Sequence, residues 1–154
     1  MHEPILRLAL AAAIGTLIGL NRDLHGKDAG VRTQSLVAIG AALAVLAIER
    51  VAGASDPTGS GVSRAVQGVL TGVGFLGAGV ILHDASGQRV YGLTTAATIW
   101  VTAVFGVACG VGAYAEVAAG VALVFVILWF GGPFEKRLER ARAHRRGAGA
   151  SESS

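Results

Sequence analysis

From Ala65 to Leu82 the chain carries no ionisable side chain, and the centre of that run reads GVLTGVGFLGAG from Gly68 to Gly79. At ~1.5 Å per residue, a helix over this stretch is about long enough to cross a ~30 Å hydrocarbon layer. A glycine in an exposed helix interior costs ~1 kcal/mol relative to alanine, so six small residues at 68, 72, 74, 77, 78 and 79 need compensation. Close approach of neighbouring helices supplies it in membranes. The stretch therefore predicts a membrane-spanning helix, third in order and central in its bundle, with Gly68, Gly72, Gly77 and Gly79 as packing positions.

The rest of the chain agrees with a lipid solvent. Only 15% of its 154 residues are charged and 53% are hydrophobic, against roughly 25% charged in an ordinary soluble domain. Twenty-three glycines without a Gly-X-Y period exclude collagen and suit tightly packed transmembrane helices. Cys109 is alone, which excludes an intrachain disulfide and a multi-cysteine metal site. The basic pI of about 9.6 is no argument for nucleic acid, because 6 of the 13 Lys and Arg fall between Lys136 and Arg146.

Apolar runs at 5–20, 35–48, 65–82, 94–111 and 117–130 predict five spans in one all-α polytopic helix bundle, a transmembrane domain over 1–132. A basic tail over 133–154 follows, ending in a Gly, Ala and Ser stretch too simple to fold. Arg7 near the start of the first span is expected to snorkel to the headgroups. A cleaved signal peptide is disfavoured, since the n-region lacks a basic cluster and the apolar run continues to Leu20. Gly15 and Gly19 form a small-xxx-small face on this first span. With five spans, the first and third connections share a side with the C-terminus. That side holds Arg22, Lys27, Arg32, Arg89 and the six tail cations; the other holds Arg7, Arg50 and Arg64. The positive-inside rule then places the N-terminus outside and the tail in the cytoplasm.

A shift of 62 residues aligns Gly15 with Gly77, Lys27 with Arg89, Gly30 with Gly92 and Thr33 with Thr95. Spans one and two would then repeat as spans three and four in the same orientation.

Polar residues other than the tail concentrate in the two connections on the basic side. Asn21, Arg22 and Asp23 leave the first span, and Arg32 and Thr33 precede the second. Such charges can form an Arg–carboxylate contact, bind a cation or an anionic lipid head, or simply set topology and solvate the loop. His83 and Asp84 leave the third span; Thr94 or Thr95 is placed to cap the fourth. Thr98 and Thr102 extend a hydroxyl row that either lines a polar path or bonds its own preceding turn and neighbouring helices. Gln67, Thr71 and Cys109 read as packing residues. Without HExxH, GxSxG, a P-loop or clustered Cys and His, an enzyme is not expected, nor a cofactor. No Asp or Glu falls mid-span, which gives Mg²⁺ little to hold.

Four blocks together, GTLIGLNR at 15–22, AGVRT at 29–33, GVGFLGAG at 72–79 and GLTTAATIW at 92–100, resemble the MgtC/SapB family of bacterial inner-membrane proteins, over about residues 10 to 132. The resemblance implies a multi-pass plasma-membrane protein associated with magnesium. It also implies regulation of the ATP synthase or of transporters, and a soluble C-terminal domain that this chain is expected to lack. Its motifs point to Asn21, Arg22, Arg32, Thr33, Thr94 and Thr95. Two functions follow as expectations: a regulator of ion or proton homeostasis that contacts membrane proteins, or a transporter or channel for Mg²⁺ or another cation. A small scaffold whose basic tail holds anionic lipid is the blandest alternative, and small-residue faces also admit a homo-oligomer.

Overall fold

The computed structural model describes residues 2–52, 59–83 and 90–131; Asp84 and the basic tail lie outside them. Among the described residues there are five long helices: α1 (His2–Leu24), α2 (Val31–Ala52), α3 (Ser60–Gly79), α4 (Leu93–Val111) and α5 (Tyr114–Gly131). Between α3 and α4, the two-residue strands β1 (Leu82–His83) and β2 (Val90–Tyr91) pair antiparallel, Leu82 opposite Tyr91 and His83 opposite Val90. The chain divides into two compact units, Met1–Val117 and Ala118–Ser154. In the second, residues 118–131 continue α5 as an apolar helix whose Leu123, Ile127, Trp129 and Phe130 are exposed.

Helices α1, α2, α4 and α5 are long and apolar enough to cross a membrane. The 20-residue α3 is not among them: Arg64, Gln67 and its glycines dilute the aliphatic content. It also ends earlier than its apolar run suggests, at Gly79, because the chain turns through Val80 into the strand pair. The first connection is shorter than the polar sequence implies. Asn21, Arg22 and Asp23 continue α1, and α2 has already begun at Val31. The turn between them uses left-handed backbone at Gly26 and Ala29 (φ 59° at each).

The expectation that the glycine-rich third helix is central is corrected within the first unit. Helices α2 and α4 pack on each other and each also touches α1 and α3, whereas α1 and α3 flank this pair. The core is built from Ala38, Ala41, Ala42 and Val45 of α2 and Ile99, Ala103, Phe105 and Cys109 of α4, with Ile14 and Ile18 of α1. On α3 only Val73 and Gly77 are buried. Among the described residues nothing lies within 4 Å of where a Cβ would stand on Gly68, Gly72 or Gly79, so these three pack against no other helix of the first unit. Gly15, Gly19 and Gly77 do. A Cβ on Gly15 would meet the Gln34 carbonyl oxygen at 2.6 Å, and one on Gly19 the Val31 Cα at 2.5 Å. The close approach of α4 to α2 depends on two further glycines: a Cβ on Gly106 would meet the Ala41 Cβ at 2.8 Å, and one on Gly110 the Val45 Cβ at 2.8 Å.

The 62-residue shift has a geometric counterpart. Helices α2 and α4 begin at Val31 and Leu93, each just after an aligned glycine. Their first turns close through Gln34 N–H to Gly30 O (3.0 Å) and Ala96 N–H to Gly92 O (2.8 Å). Gly15 faces Gln34 and Gly77 faces Ala96, again 62 apart in both members.

Candidate functional site

Polar side chains in the first unit gather at the two ends of α1. At its start, Arg7 does not reach outward to headgroups. Its Nη1 donates to Glu49 Oε2 (3.1 Å) and to the Gly110 carbonyl (2.7 Å), and its Nη2 to Glu3 Oε1 (2.6 Å). One guanidinium thus ties α1 to the ends of α2 and α4, and a cation at the C-terminus of α4 suits that helix dipole.

The other end carries the candidate site. Arg22, in the last turn of α1, is 4% exposed. Its Nη2 donates to Thr95 Oγ1 at 2.5 Å and its Nε to the Asp28 carbonyl at 3.4 Å. From Thr95 a polar seam runs into the bundle along α4. Thr98 Oγ1 donates to the Thr95 carbonyl (2.9 Å), and Gln34 Nε2 on α2 donates to Thr98 Oγ1 (3.3 Å). Thr102, one turn further, is fully buried. Gln34 Oε1 and Thr102 Oγ1 are buried without a hydrogen-bond partner, atoms of the kind that an ordered internal water satisfies.

Of the residues singled out from sequence, the structure brings Arg22 and Thr95 together. Asp23 supports them from the side: its carboxylate accepts from the Val31 N–H (3.0 Å) and so caps α2 from eight residues away. That carboxylate also fills the place a Cβ would take on Gly30. Asn21 is half-buried, and its carbonyl oxygen lies 2.7 Å from His25 Nδ1. Arg32, Thr33 and Thr94 are exposed and stand apart from the seam. His83 lies in β1. Neither Thr94 nor Thr95 caps α4; Gly92 occupies the N-cap in the left-handed region (φ 84°) with no side-chain hydrogen bond. Within the hydroxyl row, Thr98 bonds its own preceding turn and accepts from Gln34 of the neighbouring helix, whereas Thr102 Oγ1 makes no bond among the described residues. Gln34, fully buried, was not singled out, because it reads as the last residue of a polar loop. Its signal is its place one turn into α2, on the same face as Ala38, Ala41 and Ala42.

The MgtC family profile matches residues 8–137. Protein SrpB of Synechococcus elongatus is 52% identical over 113 residues, covering 69% of this chain and 62% of its own. Protein MgtC of Brucella abortus is 45% identical over 120 residues, 78% of this chain and 47% of its own. YhiD of Escherichia coli K12, whose name proposes it as a magnesium transporter, is 42% identical over 130 residues, 82% of this chain and 59% of its own. The chain therefore spans about half to three-fifths of the length of these curated relatives. No solved structure matches it. With a family match over most of its length and relatives at this identity, the chain belongs to the MgtC family.

Proposed function

We propose that this chain is a regulatory membrane protein of the bacterial inner membrane, modulating ion or proton homeostasis by contact with other membrane proteins, its N-terminus outside. The family resemblance suggests an ATP synthase or a transporter as the partner. The observation that carries the reading is the charge inside the bundle: among the described residues, the one buried ionisable side chain that is charged at neutral pH is the cation Arg22. Mg²⁺ prefers carboxylate and water oxygens, and among the described residues no three His, Cys, Asp or Glu side chains converge. The exposed Phe75 and Leu76 of α3, beside the open Gly68 and Gly72, offer a flat apolar face of the kind membrane helices use for association.

Transport of Mg²⁺ or another cation is the second reading, favoured by the buried Gln34–Thr98–Thr102 seam and by the name of YhiD. Reconstitution in liposomes separates the two. The regulatory reading expects no Mg²⁺ or proton flux above empty vesicles and co-purification of a defined membrane protein from mild detergent. Flux abolished by Gln34→Leu or Asp23→Ala would replace it with the transport reading.

A further inference from the structure

A groove of about 460 Å³ opens between α1 and α2 at the end of the bundle where Arg7 binds Glu49, opposite the Arg22 end. One wall is Pro4 and Leu8 of α1; the other is a stripe of α2 that runs Leu43, Leu46, Ala47 and Arg50. The first pair has i, i+4 spacing and the second set i, i+3, i+4, i+7 spacing, so each wall is one helix face and the groove runs along the helix axes. Its size falls in the range of small-molecule clefts.

Apolar and ionic parts of the groove are separated by depth. Leu43 lies about 10 Å along α2 from Arg50, so the leucine walls extend inward while Glu49 and Arg50, in the last turn of α2, stand at the mouth. An amphiphile is divided in the same way. The mouth also offers unused charge of both signs. Arg7 is shared between two carboxylates, Glu3 and Glu49. The Glu49 side chain is 37% exposed and meets Arg7 through Oε2, which leaves Oε1 without a hydrogen-bond partner among the described residues. Arg50 is exposed and has no ion pair among the described residues.

We propose that this groove binds a zwitterionic phospholipid with a primary-amine head group, an acyl chain between α1 and α2, its ammonium on Glu49 and its phosphodiester on Arg50. A primary ammonium donates hydrogen bonds to a carboxylate, which a trimethylammonium cannot, and the guanidinium fork matches phosphate oxygens. A purely anionic head group would leave Glu49 without a partner of opposite sign. The site is independent of whether the chain regulates or transports.

The test uses the full chain in a neutral detergent, titrated separately with phosphatidylethanolamine, phosphatidylcholine and phosphatidylglycerol of the same acyl chains, bound lipid being counted by native mass spectrometry. Saturable binding of phosphatidylethanolamine is expected, about tenfold tighter than the other two, as one charge-assisted hydrogen bond supplies. Glu49→Gln should erase the preference over phosphatidylcholine, and Arg50→Gln should weaken phosphatidylethanolamine several-fold. Ala47→Trp, which fills the groove from an exposed position, should abolish binding. The proposal is overturned if phosphatidylethanolamine does not saturate, if phosphatidylcholine or phosphatidylglycerol binds as tightly, or if any of the three variants binds like the parent chain. Should Glu49→Gln fail to fold through loss of its Arg7 contact, Arg50→Gln decides, and an unchanged affinity there overturns it.

Discussion

Arg22 Nη2 lies 2.5 Å from Thr95 Oγ1, joining the last turn of α1 to the first turn of α4 across 73 residues of sequence. Hydrogen bonds to charged groups contribute about 1.5–3 kcal/mol when buried. Thr95→Val should therefore destabilise the bundle by about that amount, since it removes the hydroxyl while keeping the shape. Thr94→Val, at the neighbouring exposed position, should stay within about 0.5 kcal/mol. Unfolding titrations in mixed micelles check both.

The two classes of glycine should respond in opposite directions. Gly19→Ala and Gly106→Ala push a methyl into the Val31 backbone and the Ala41 side chain, and each should cost about 1–3 kcal/mol through forced separation of helices. Gly72→Ala meets open space and should gain up to ~1 kcal/mol from helix propensity. Thermal unfolding in one detergent ranks the three; destabilisation by Gly72→Ala in the isolated chain would contradict the peripheral place of α3.

Asp23 and Gly30 make a non-additive pair. Asp23→Ala removes the cap on α2, at a cost of about 1 kcal/mol, while Gly30→Ala collides with the Asp23 carboxylate. In the double variant the collision is gone, so Gly30→Ala should cost less when Asp23 is already alanine. A double-mutant cycle on unfolding free energy measures the coupling.

Arg7 should matter through its part-buried bonds to α2 and α4 and little through its surface pair. Glu3→Gln weakens an exposed i,i+4 contact and should cost less than about 1 kcal/mol. Arg7→Ala also frees Glu49 and the Gly110 carbonyl and should exceed about 1.5 kcal/mol. Amide exchange near Gly110 should rise in Arg7→Ala alone, because that guanidinium holds the end of α4.

Gln34→Met probes the seam. Gln34→Met removes the bond to Thr98 together with the unsatisfied Oε1, two effects of opposite sign, and Thr98 keeps its bond to the Thr95 carbonyl. Stability should therefore change by less than about 1 kcal/mol. If cellular activity falls while stability holds, the seam has a functional role that packing does not require.

The helical class, the lipid solvent, the family and the 62-residue repeat were all legible in the chain, because hydropathy, glycine content and motif spacing are properties of single segments. So was the close-packed face of Gly15 and Gly19, and Arg22 and Thr95, which the structure joins, are both among the residues its motifs point to. The position of the glycine-rich helix was not. A missing Cβ shows that a helix face is flat, but whether another backbone lies on it depends on both elements. Gly106 and Gly110 are apposed to α2, whereas Gly68, Gly72 and Gly79 face open space. Likewise, Arg22 looked like a loop residue and Gln34 like a loop's end, and only the bundle withdrew both from solvent. Burial is decided between helices, by which faces meet; sequence alone determined which faces were able to.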